Sequence, residues 1–136
     1  MSRWIFCLVA LAWIGCAEGP VVDHTRDPDM FALDVKEVTA ESVVYARGSD
    51  EPAEELSGLV DMLADLRAQP TGEHLSLYQE ISALATEIYE EAQAVDGRPE
   101  GLEERLDQLW ALAEQLPGDV DVEEFEEELD EEFDDA

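Results

Sequence analysis

Between Ser49 and Gly118 large apolar residues recur at steps of three and four, and the pattern breaks only where proline or glycine ends a helix. In the first segment Ser49 or Asp50 stands as cap and Pro52 lies in the opening turn. Leu56, Leu59, Val60, Leu63 and Leu66 then share one face until Pro70, opposite Glu54, Asp61 and Asp65. The second segment begins near Thr71 and sets Leu77, Tyr78, Ile81, Leu84, Ile88, Ala92 and Val95 on a stripe, with Gly97 predicted as a left-handed cap. The third opens at Pro99, repeats Leu102, Leu106, Leu109, Ala113 and Leu116, and stops at Pro117-Gly118. The connections Gln69 to Gly72 and Asp96 to Pro99 are short enough to force antiparallel neighbours. Residues 49–117 therefore predict an all-α domain, a small up-down-up three-helix bundle or a helical hairpin plus helix.

The preceding stretch, 30–48, reads two ways. Phe31, Leu33 and Val35 alternate as in a strand, while Phe31, Val35, Val38, Ser42 and Tyr45 keep helical spacing. Helix is favoured, with Thr39 as cap of a short helix through Ala46, although Val43-Val44-Tyr45 has strand propensity. Three short helices bury a marginal core, which motivates two expectations: that 30–48 packs as a fourth element, or that two chains form a homodimer.

Charge narrows the partners. The 136 residues hold 36 Asp and Glu against 7 Lys and Arg, a net charge of −29, while 46% of the chain remains hydrophobic. A surface of that sign repels phosphate, which excludes nucleic acid and direct contact with an anionic membrane face. A single lysine, Lys36, and acid excess throughout also fit adaptation to high salt. The excess peaks at the end, where residues 118–136 form an acidic tail with no base. Val122, Phe125, Leu129 and Phe133 recur there at helical spacing and are the candidate partner-binding residues. Self-repulsion predicts disorder for the isolated tail, and an amphipathic helix when a basic, apolar-grooved partner neutralises it. The alternative is a solvating or loosely cation-binding tail.

The amino terminus carries an address. Residues 1–15 contain one base, Arg3, and no acid, and Trp4 to Ile14 is continuously apolar, the outline of an export signal. At about 1.5 Å per residue the run is too short to cross roughly 30 Å of hydrocarbon as a helix. Trp13-Ile14-Gly15-Cys16 resembles the lipobox of bacterial lipoprotein precursors, with Trp13 where that family usually has an aliphatic residue. The resemblance covers the first 17 residues. It implies lipidation of Cys16, a membrane anchor and a place in the cell envelope, facing periplasm or exterior, and Ala17 after the cysteine fits an outer membrane in a double-membrane host. The competing expectation is ordinary cleavage before Glu18, which yields a secreted protein. Cys7 leaves with the signal, so the mature chain holds one cysteine and no internal disulfide. Residues 16–29, with Gly19-Pro20, Asp27-Pro28 and only Val21-Val22 as an apolar pair, read as a tether.

Other chemistry finds little purchase. His24 and His74 lack metal-ligand spacing to a second His or Cys, and no nucleophile elbow or phosphate loop occurs. Glu87, Glu90 and Glu91 lack the Glu-x-x-His pairing of a dimetal site and read as a solvated face. Tyr78, Tyr89 and Trp110 read as packing rather than a ligand cage. Gly118 to Phe125 resembles the second half of an EF-hand calcium loop, which makes Asp119, Asp121 and Glu124 weak metal candidates. The first half, Ala113, Gln115 and Pro117, offers no carboxylate. No cofactor is implied. The expected function is an exported, lipid-anchored, noncatalytic helical interaction module whose partner is a basic envelope protein. A divalent-cation buffer or sensor using tail carboxylates is the second reading, and an enzyme with no nominated catalytic residue the third.

Overall fold

The computed structural model describes residues 27–134, with side chains described through residue 130. The export signal, Cys16, His24 and most of the tether lie outside these residues, as does the side chain of Phe133. The chain is all-helical, with no strand among the described residues.

The ambiguous stretch is a helix, α1, Pro28–Gly48. It begins inside the expected tether, because Asp27 caps it: the Asp27 carboxylate accepts from the Asp29 N–H at 3.0 Å and Pro28 fills the first turn. Thr39 is mid-helix rather than a cap. Its hydroxyl is fully buried and donates to the Val35 carbonyl at 2.6 Å. Burial overrides the strand propensity of Val43 and Val44, since Phe31, Val35, Val43 and Val44 all enter the core or its margin. Small residues between them, Ala32, Ala40 and Ala46, let α1 sit close to its neighbours, so it is buried around most of its circumference.

The three segments read from the apolar period are α2 (Pro52–Leu63), α3 (Leu75–Val95) and α4 (Leu102–Ala113). Leu56, Leu59 and Leu63 of α2, Tyr78, Ile81, Ile88 and Ala92 of α3, and Leu102, Leu106, Leu109, Ala113 and Leu116 at α4 are buried as the spacing predicts. Val95, expected on the stripe, is 56% exposed. Two 3-10 turns, Leu66–Ala68 and Gly72–His74, connect α2 to α3, so α3 starts after Thr71 rather than at it. The left-handed position after α3 falls on Asp96 at φ 52, not on Gly97. The Asp96 and Gly97 N–H groups close the last turn on Gln93 and Ala92 carbonyls.

Helix α1 packs against α2 and α4, and α3 packs against the same two, so four helices enclose one core. Polar ties give the directions. Arg98, just before α4, donates to carbonyls at the end of α1, while Lys36 in the first half of α1 donates to carbonyls at the end of α4. Those two helices are therefore antiparallel. Phe31 meets Tyr78 edge-on at 5.2 Å between centroids, which puts the starts of α1 and α3 at one end. Helix α1 contributes Phe31, Ala32, Val35, Val43 and Ala46 to that core.

In the tail, Val122–Asp134 form α5, whose extensive contacts among the described residues are with α1.

Candidate functional site

The route into α5 is tightly built. Gly118 leaves α4 at φ 97, and a Cβ there would lie 2.7 Å from Leu33 Cδ1, so this turn needs glycine. The Asp121 carboxylate accepts from the Glu123 N–H at 3.1 Å and caps α5. Val122, Phe125 and Leu129 are half-buried and the acids between them exposed. Phe125 shares a groove with Leu33 and Glu37, and Leu129 shares another with Val44, Arg47 and Gly48. The Tyr45 hydroxyl reaches Glu128 at 3.5 Å. The stripe expected to meet a partner is therefore laid, at Phe125 and Leu129, along α1, and α5 runs parallel to it.

The weak metal candidates end up near one another but not as a cage. Asp119, Asp121 and Glu124 line the groove that holds Glu37. Among the described residues, no three His, Cys, Asp or Glu side chains converge as they do around an ion, and Asp121 already caps a helix.

Apolar periodicity gave no warning of what the bases do. Lys36, 8% exposed, donates from Nζ to the Glu114, Leu116 and Gly118 carbonyls at 3.4, 3.1 and 2.7 Å. It ties α1 to the turn that follows α4, whose own last carbonyls accept from the Glu114, Gln115 and Leu116 N–H groups. Arg98 makes the converse tie at the end of α1, donating to the Ala46, Arg47 and Ser49 carbonyls at 3.1, 3.0 and 2.8 Å while pairing with Glu103 at 2.7 Å. Arg105 joins α4 to α3 through Glu87, at 2.8 Å, and Glu91. Arg47 pairs with Asp107. The spacing held one signal: Lys36 falls four residues after Ala32 and four before Ala40, on a face of small residues that buries.

The groups considered for catalysis take structural places. Glu87 and Glu91 hold Arg105, and the Tyr89 hydroxyl accepts from Gln93 at 2.7 Å. Trp110 packs at the margin of the core. His74 lies edge-on to Tyr78 at 6.3 Å. The Tyr78 hydroxyl is buried without a hydrogen-bond partner, and its pKa is pushed up to about 12, first by burial and then by the negative charge of Asp29. No described carboxylate is buried. No helix among the described residues is long and apolar enough to cross a membrane. Comparison with family models, with curated proteins and with solved structures matches nothing.

Proposed function

We propose that the protein is an exported, lipid-anchored, noncatalytic helical module that presents an acidic surface to a basic partner in the cell envelope. One observation carries the reading. Of the five described bases, Lys36, Arg47, Arg98 and Arg105 are committed to ties between elements, and Arg67 pairs locally with Asp65 at 3.9 Å. The carboxylates, by contrast, remain at the surface. With 36 acids against 7 bases in the chain and the described bases each paired, the domain carries an outward field of one sign, which steers and selects a positive partner. Helices α1 to α4 act in this reading as an up-down-up-down bundle, the scaffold on which α5 adds the densest acids.

With Phe125 and Leu129 seated on α1, the partner meets charge rather than the apolar stripe. Replacing Glu123, Glu124, Glu126 and Glu127 with Gln in the full chain should abolish salt-sensitive capture of a basic protein from the native envelope, while Leu129→Ala has the smaller effect. Capture that survives the four substitutions, or ignores added salt, sinks the charge-based role. The anchor has its own test, the mass of the amino-terminal peptide from native membranes. A lipid adduct on Cys16 supports it, and an unmodified chain starting at Glu18 makes the protein secreted.

A further inference from the structure

The seat of α5 is rich in acids. From α1 it receives Glu37, and from the chain above it Asp119, Asp121 and Glu124, all around one groove; further along, Glu126 and Asp130 line a second groove with Val44, Arg47 and Leu129. Two cations lie within reach and both are engaged elsewhere, Lys36 with the carbonyls ending α4 and Arg47 with Asp107. Against this repulsion stand three half-buried apolar side chains, Val122, Phe125 and Leu129, and a long hydrogen bond from Tyr45 to Glu128. Among the described residues, the extensive packing of α5 is on α1.

From this juxtaposition we infer that α5 is a strap whose docking on α1 is set by ionic strength: closed when salt screens the groove carboxylates, released when it does not. The hinge is in place. Gly118 has the left-handed backbone the turn needs, and Lys36 holds its carbonyl at 2.7 Å, so the strap pivots from an anchored residue. Screening length falls from about 30 Å at 0.01 M salt to about 3 Å at 1 M, which spans the separations inside such a groove. The apolar contact is small enough for that change to decide the balance. Release uncovers Val44 on α1, and closure covers it, without disturbing the core beneath. The inference goes beyond the partner reading and stands without it.

Hydrogen exchange of the full chain at short labelling times tests it. Amides of residues 122–130 should exchange about tenfold more slowly near 0.5 M than near 0.01 M NaCl, with the buried turns of α2 to α4 unchanged. Screening also relieves repulsion within α5, so a substitution outside that helix separates the two effects. Glu37→Gln on α1 should protect α5 at low salt, an outcome available only through docking, and Leu129→Ala should remove the protection at every salt concentration. Equal α5 exchange at both salt concentrations overturns the strap, as does a Glu37→Gln variant indistinguishable from the parent.

Discussion

Replacing Lys36 with Met keeps the length and most of the apolar stem but removes the ammonium, and it asks how much of the stability rests on one side chain. Three carbonyls lose a donor. The bond to Gly118 at 2.7 Å and that to Leu116 at 3.1 Å are well made, and that to Glu114 at 3.4 Å is marginal. A bond to a charged group contributes about 1.5–3 kcal/mol net, so the two good ones set an upper range of about 3–6 kcal/mol. Removing the desolvated ammonium returns part of this, because Lys36 is nearly buried and holds no carboxylate in the observed contacts. Water reaching Gly118 and Glu114, which are exposed, recovers more. The net expectation is a loss of about 2–3 kcal/mol, or roughly 7–10 °C in melting temperature at this chain length. Urea unfolding followed by circular dichroism should show the midpoint fall with the slope unchanged. A second readout is chemical: as the only lysine, Lys36 should react with amine reagents in the unfolded chain and resist them in the folded one. A midpoint within error of the parent, or rapid labelling of native protein, refutes the staple.

Two substitutions should raise stability. Asp96→Gly relieves a non-glycine residue at φ 52 and removes a negative charge from the negative end of α3, for a gain of about 1 kcal/mol in urea unfolding. An unchanged or lower midpoint contradicts that account of the cap. Tyr78→Phe removes a buried hydroxyl without a partner and should leave neutral-pH stability equal or slightly higher. Its clearer effect is alkaline. With the folded pKa at about 12 and the unfolded value near 10, the un-ionised phenol's stabilisation is complete below pH 10 and is lost as the pH rises towards 12. Parent and variant melts should therefore diverge across that window in favour of Phe, and parallel curves refute the burial of the phenol.

How much of this was legible in the sequence follows from which forces leave a periodic trace. Apolar burial does, and Leu102, Leu106 and Leu109 lie where their spacing puts them. Helix α1 was half-legible: Asp27-Pro28-Asp29 is a start signal, obscured by its likeness to a tether, and the run of β-branched residues argued for strand until burial by α2 and α4 overrode it. The assignment of the acidic stripe was confounded differently. Val122, Phe125 and Leu129 announce an amphipathic helix, but nothing in their spacing says whether the apolar side meets another protein or α1 of the same chain.

The bases were illegible for a more general reason. A backbone carbonyl carries no residue signature, so the sequence cannot advertise the acceptors that Lys36 and Arg98 satisfy. Yet in a chain of 36 acids and 7 bases the scarcity is itself informative once the fold is known. An exposed base among so many carboxylates forms interchangeable surface pairs worth little. A base at a helix terminus answers several fixed carbonyls that no carboxylate can, so these are the positions where losing a cation is felt most. Lys36 joins the ends of α4 to α1, and Arg98 joins the end of α1 to the start of α4. The same two residues that tie α1 to α4 are thus the bases whose loss the fold should feel most, while the surface field follows from the 36 acids.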